Sequence, residues 1–171
     1  MAPLVVLVGP PGAGKTTVGS LIAAELSVPF LDTDQVIESA TGKSVADIFI
    51  EDGEEHFREL ERAAVRDALA HHAGVLALGG GAVLADETRS ALRSATVVAL
   101  EVTLPDAVGR VGLARDRPLL LDSPRARIAA MLRARAPLYA EVACRSVTTA
   151  DRPPDDVAAE IIEWLAGREQ E

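Results

Sequence analysis

The sequence predicts an α/β fold: an open, mostly parallel sheet of five strands with helices on both faces. Three observations carry that prediction. Short apolar runs alternate with stretches of helical period along the chain, the pattern of strands joined by crossover helices. The first such pair, Leu4 to Val8 and a helix with Val18, Leu21, Ile22 and Leu26 at helical spacing, is joined by a glycine-rich segment. Finally, 171 residues with 49% apolar side chains can bury one core. No linker, repeat or low-complexity stretch divides them, so residues 1–171 are expected to form one domain.

The joining segment, Gly9-Pro10-Pro11-Gly12-Ala13-Gly14-Lys15-Thr16, matches G-x-x-x-x-G-K-[ST] without a gap. Its glycines permit backbone dihedrals that turn successive N–H groups inward around phosphate oxygens. The helix that follows offers free amides and its positive end to the same anion. Residues 9–17 are therefore the expected phosphate loop, with Gly12, Ala13, Gly14, Lys15, Thr16 and Thr17 as nucleotide-binding candidates. Lys15 is expected on the β/γ-phosphates and the Thr16 hydroxyl on Mg²⁺. Lys15 and Lys43 are the only lysines beside fifteen arginines.

After Ser27-Val28-Pro29 ends the first helix, a short strand, Phe30-Leu31, runs into Asp32-Thr33-Asp34. Carboxylates at a strand's C-terminal end sit where open parallel sheets bind ligands. The alternative is that Asp34 or Thr33 caps the next helix. Gly42 then reads as a helix C-cap and Ser44 as the cap of a helix over Val45 to Phe49. A longer helix is expected from about Asp52 to His71, with Phe57, Leu60, Ala64 and Leu69 buried. Arg58 and Glu61 on it are one turn apart, the spacing of a solvated ion pair. His56, His71 and His72 lack metal-like companions and are expected on the surface or at helix ends.

Val75 to Leu78 is a buried strand that ends in Gly79-Gly80-Gly81 rather than in an acid. Three glycines there predict close approach of backbone to a ligand. A helix over Asp86 to Arg93, a strand over Thr96 to Val102 and a helix opened by Pro105 follow. From Gly112 to Ser123 the pattern loses period, and this arginine-bearing stretch is expected to be a mobile lid. A helix from Pro124 to about Tyr139, a strand near Ser146 to Thr148 and a helix from Pro154 to Leu165 with Trp164 in the core complete the chain.

The net charge of −9 opposes nucleic acid and anionic membranes as partners. Seven arginines against two aspartates between Arg110 and Arg135 form a basic island suited to a small polyanion. Cys144, the single cysteine, excludes an internal disulfide and is expected to be a small buried hydrophobe beside Val142. No signal peptide and no apolar run of about 20 residues is visible, so a cytoplasmic location is expected.

Taken in order, these features resemble the shikimate kinases over nearly the whole chain. The matching residues are Gly9 to Thr16; Asp32-Thr33-Asp34; Phe57-Arg58 with Glu61; Gly79-Gly80-Gly81-Ala82; Arg117-Pro118-Leu119-Leu120; and Arg135-Ala136-Pro137-Leu138-Tyr139 with Ala143. The resemblance implies transfer of the ATP γ-phosphoryl group to the 3-hydroxyl of shikimate, with Mg²⁺. It implies a substrate region over residues 32–61, and a monomer. By the resemblance Asp34 is the base and holds substrate hydroxyls, Arg58, Arg135 and the Gly80 backbone grip the carboxylate, and Glu61, Gly79 and Gly81 line the site. Arg117 would meet the transferring phosphate from the lid, Asp32 would hold Mg²⁺ through water, and Arg110 and Arg152 would flank the adenine. Pro10-Pro11 and the lid's Leu113-Ala114 and Leu121-Asp122 depart from the pattern. Two other readings remain at this level: a gluconate kinase of similar build, and a nucleotide-binding module without turnover. No N-K-x-D guanine-reading motif supports the latter.

Overall fold

Along β1, Val5–Val8, every side chain is buried, and the two-residue period divides them between the two faces of the sheet. Val5 and Leu7 join a core with Ile22 and Ile161, while Val6 and Val8 join another with Leu76, Val97 and Val142. A strand buried on both faces belongs in the middle of a parallel sheet, and β1 occupies that place. The computed structural model describes residues 2–111 and 123–169.

The remaining elements are α1 (Lys15–Glu25), β2 (Phe30–Asp32), α2 (Thr33–Thr41), α3 (Val45–Glu51), α4 (Glu54–His71), β3 (Val75–Ala77), a 3₁₀ turn (Ala82–Leu84), α5 (Asp86–Leu92), β4 (Val97–Glu101), α6 (Leu104–Val111), α7 (Pro124–Val142), β5 (Arg145–Thr148) and α8 (Pro154–Arg168). The sheet order is β2-β3-β1-β4-β5. All four pairings are parallel, with Val5 beside Val75 and Val6 beside Val97 in register. The five strands expected are thus present, and the sheet is wholly rather than mostly parallel. Helices α1 and α8 cover one face; α4, α5 and α7 cover the other. Because β1 leads toward β2 on one side and β3 leads to β4 on the other, the chain reverses direction beside β1. A ligand crevice opens beyond the strand ends at such a point.

Several local expectations are borne out. Gly42 ends α2 with φ of 70°, and the Ser44 hydroxyl accepts from the Asp47 amide to start α3. Pro124 stands in the first turn of α7, where its missing N–H is no loss.

Others are corrected. The cap of α2 is Asp32, not Thr33 or Asp34: its Oδ1 accepts from the amides of Asp34 at 2.9 Å and Gln35 at 3.4 Å. Helix α4 begins at Glu54 and buries Phe57, Glu61, Val65 and Ala68. It lies between the sheet and a small cluster of Ile37, Ile48 and Phe57, so Leu60 and Ala64 pack only in part, against that cluster. Helix α7 continues to Val142 with Pro137 inside it. Cys144 is exposed, since it falls in the turn between α7 and β5 rather than on the buried face that holds Val142. Trp164 is half-buried against the core, with the Arg168 and Arg145 guanidinium groups over its ring at 5.0 and 6.0 Å. Ser123, expected in the lid, caps α7 by accepting from the Ala126 amide at 3.1 Å. The rest of the lid, residues 112–122 including Arg117, lies outside the described residues.

Candidate active site

The phosphate loop starts from a residue that must be glycine. Gly9 has φ of 149°, and a Cβ there would stand 2.5 Å from the Leu100 carbonyl oxygen. Gly12 and Gly14 also have positive φ, and Gly14 is the N-cap of α1. The amides of Lys15, Thr16 and Thr17 form the first turn of α1, so the helix has no acceptors of its own for them. Lys15 folds back over the loop and donates to the carbonyls of Gly9 at 2.7 Å and Pro10 at 3.0 Å.

Asp32, at the end of β2, joins this loop to α2. Its Oδ2 accepts from the Thr16 hydroxyl at 2.6 Å while its Oδ1 caps α2. Capping by Asp32 leaves the Asp34 side chain free for other work. Together with Lys15, Thr16, Asp32, Gly79 and Gly80, Asp34 lines a cleft of about 340 Å³. Its Oδ1 is buried and has no hydrogen-bond partner among the described residues. Burial, reinforced by the negative charges of Asp32 and Glu61 and opposed by Lys15, pushes its carboxyl up to about 6. Burial pulls Lys15 down to about 8, against the attraction of Asp34 and Asp32.

The three glycines after β3 are each pressed against a different functional side chain. A Cβ on Gly79 would stand 2.5 Å from Asp34 Oδ1, and one on Gly80 would stand 2.6 Å from Pro11. One on Gly81 would fall on the Arg58 guanidinium. Close approach was expected of a ligand; here protein side chains impose it as well. Pro11, unusual in the motif, is thus a packing surface for Gly80.

Arg58 is not a solvated partner of Glu61. Its Nη1 meets Glu61 Oε1 at 2.8 Å, with the two side chains 18% and 4% exposed, and its Cζ lies 5.4 and 5.7 Å from the centroids of the Phe57 and Phe49 rings. Burial raises the Glu61 carboxyl, and Arg58 opposes that rise. Arg135, half-buried on α7, is near enough for its charge to act on Glu61, Tyr139 and Lys15. The structure therefore gathers Asp34, Arg58, Glu61, Gly79, Gly80, Gly81 and Arg135 on one side of the phosphate loop.

On the other side, Arg110 and Arg152 border a second cavity, of about 220 Å³, with Ala13, Gly14, Thr17 and Pro154. Arg110 Nη1 donates to the Gly12 carbonyl at 3.0 Å and to Thr149 Oγ1 at 3.2 Å, tying α6 to the loop and to the end of β5. Arg152 pairs with Glu160 at 2.7 Å, and Glu160 also pairs with Arg145.

Four residues of this machinery have roles that the sequence did not announce. Buried Thr33 accepts from the Gly79 amide at 3.1 Å, and the hydroxyl of Tyr139 donates to the Gly80 carbonyl at 2.5 Å. Thr149 and Glu160 hold the two arginines. Thr33 and Tyr139 carried a signal as members of the triplet at the end of β2 and of the stretch from Arg135 to Tyr139; Thr149 and Glu160 carried none. Among the described residues no helix is long and apolar enough to cross a membrane, and no group of three or more His, Cys, Asp or Glu could hold a metal.

The chain is similar to known proteins over nearly its whole length. The family model described as shikimate kinase matches residues 11–166. A shikimate kinase of Salinispora tropica is 60% identical over 165 residues, covering 96% of this chain and 99% of the relative. One of Frankia casuarinae is 60% identical over 168 residues, 96% of this chain and 75% of the relative. The solved structure of shikimate kinase from Acinetobacter baumannii, in complex with shikimate, superposes with a TM-score of 0.91 at 35% identity over 100% of this chain and 96% of that one. A gluconokinase from Sinorhizobium meliloti, 19% identical with a TM-score of 0.56 over 95% of this chain and 90% of that one, shares the fold alone. With the family model matched over most of the chain and a relative 60% identical along nearly its whole length, the chain belongs to the shikimate kinase family and is an ATP-dependent kinase.

Proposed function

We propose that the site transfers the γ-phosphoryl group of ATP to the 3-hydroxyl of shikimate, with Asp34 as general base. The observation that carries this reading is the buried, unpartnered Oδ1 of Asp34, placed between the phosphate loop and the glycine corner. An acceptor so placed is satisfied by a substrate hydroxyl, and a carboxyl at about 6 is mostly ionised at pH 7 and still basic enough to take its proton. Arg58, aligned by Glu61, and Arg135 are the two guanidinium groups that would meet the ring carboxylate, each able to do so bidentately. Lys15 exchanges its loop carbonyls for phosphate oxygens. Arg110 and Arg152, held by their edges, leave planar faces for stacking against adenine. Arg117, which the family resemblance places on the transferring phosphate, is the remaining charge in this reading.

Thr16 Oγ1 and Asp32 Oδ2, two hard oxygen donors 2.6 Å apart, fit Mg²⁺, which typically takes one or two protein ligands and fills its shell with phosphate and water. Bound there, it would neutralise charge on the phosphates. The reading has the enzyme working as a cytoplasmic monomer on small molecules, with neither nucleic acid nor membrane as partner. The net charge of −9 supports the last point.

An ADP-release assay with shikimate, quinate and gluconate in parallel tests the substrate. Shikimate is expected to turn over well above the other two, and preference for gluconate would overturn the reading. Arg135→Ala and Arg58→Ala are each expected to weaken shikimate binding about 10–100-fold, the scale of lost charge-assisted hydrogen bonds, while ATP affinity changes little. Calorimetric titration with each ligand checks this, and lost ATP affinity with shikimate binding intact would contradict the division of arginines. Arg58→Ala also strands the buried Glu61 carboxylate, so Arg58→Ala/Glu61→Gln should recover part of its lost thermal stability.

The plot of kcat/KM against pH is expected to be bell-shaped, because the free enzyme needs Asp34 ionised and Lys15 charged. Activity should rise through about pH 6 and fall through about pH 8. In Asp34→Asn the acid limb should disappear from whatever rate remains.

A further inference from the structure

We propose that Tyr139 is a positioning residue for the substrate carboxylate: its hydroxyl, bonded to the Gly80 carbonyl, locks the glycine corner to the helix that carries Arg135. The proposal rests on the reading that this corner and Arg135 hold the carboxylate.

Three consecutive glycines are the least constrained backbone a chain can have, yet a binding site needs each donor held in one direction. The structure fixes this corner from three sides. Thr33 Oγ1 accepts from the Gly79 amide at 3.1 Å. The Gly79 carbonyl accepts from the Ala82 amide at 3.0 Å, closing a tight turn. A trans peptide is planar, so with the Gly79 carbonyl turned toward Ala82 the Gly80 N–H must point the other way. The next peptide is held by the 2.5 Å bond from Tyr139 to the Gly80 carbonyl. With both neighbouring peptides fixed, the Gly80 N–H has one direction and no hydrogen-bond partner among the described residues.

Tyr139 does a second thing. It stands four residues, one turn, beyond Arg135 on α7, so the same bond sets how far that helix face lies from the corner. Its side chain is 7% exposed, and burial pushes the phenol up from its ordinary value although the Arg135 charge opposes it. The hydroxyl therefore remains protonated, a donor to a carbonyl, across the working pH range. Phenylalanine would fill the same volume without that bond. The Gly80 amide and the Arg135 guanidinium would then lose their common reference, while the phosphate loop and the adenine side, held by Lys15 and Arg110, would keep theirs.

The test is Tyr139→Phe against wild type, with KM measured for shikimate and ATP separately, shikimate binding measured by calorimetry, and melting recorded. Expected are a rise of about tenfold in the shikimate KM and dissociation constant, which is about 1.4 kcal/mol, an ATP KM within about twofold, and a melting point within a few degrees. An unchanged shikimate KM overturns the proposal. So does an equal rise in both KM values, or failure of Tyr139→Phe to fold, since either makes the hydroxyl a general structural group. Wild-type enzyme that does not phosphorylate shikimate refutes the functional reading instead, so the two failures are distinguishable.

Discussion

Asp34→Asn is expected to lower phosphoryl transfer by ~10²–10⁴-fold, the contribution typical of a general base, and to weaken shikimate binding only moderately. Asparagine keeps the size and one acceptor oxygen, so part of the hydroxyl contact survives, but it cannot accept the proton. Stability should move the opposite way. The folded carboxyl, pushed up to about 6 from 3.8, holds its proton more tightly than in the unfolded chain. Its contribution is therefore favourable below about pH 4 and is lost as pH rises through about 6. At pH 7 the buried anion is a cost, so the asparagine variant should melt above wild type at pH 7, with the gap closing toward pH 4. A variant that is inactive and also melts lower at pH 7 would show that Asp34 supports the fold. Asp32→Asn should differ, because Asp32 caps α2 and meets Thr16: added Mg²⁺ ought to restore some of its activity. Rescue of the Asp34 variant by Mg²⁺, and not of the Asp32 variant, would reverse the two roles.

Lys15→Ala should cost at least ~10²–10³-fold in turnover, the effect of removing one preorganised charge from a transferring group. The lysine is half-buried, is bonded among the described residues to the carbonyls of Gly9 and Pro10 alone and packs no core there, so the melting point should change little. Retention of most of the rate would remove the phosphate loop from the mechanism. Arginine at this position should not rescue, because a planar fork does not reproduce a compact ammonium in a tight loop.

The parts of this site legible in the sequence are those whose signal is local. Strands β1 and β3 showed as apolar runs, and the glycines at 9, 12 and 14 showed as a spaced motif. The stops at Gly42 and Ser44 showed because capping depends on neighbours a few residues away. The triplet Asp32-Thr33-Asp34 was legible as a site but not in its division of labour. Three consecutive side chains can all cap a helix, and only the position of Thr16, brought alongside by the fold, selects Asp32. Glu61 read as a solvated partner because a carboxylate one turn from an arginine looks like a surface ion pair, although it stands on the buried stripe of Phe57, Val65 and Ala68. Tyr139 and Gly80 are 59 residues apart, and no local pattern announces such a bond. Cys144 misled for the converse reason: a small apolar residue beside Val142 looks buried, but the chain turns between α7 and β5.

Identifying the product tests the central claim most directly. Phosphorus and proton magnetic resonance of a reaction containing this enzyme, ATP, Mg²⁺ and shikimate should show one new phosphomonoester, coupled to the proton on carbon 3 of the ring and formed in step with ADP. Phosphate on another hydroxyl, or ADP released at the same rate without shikimate, would contradict the account.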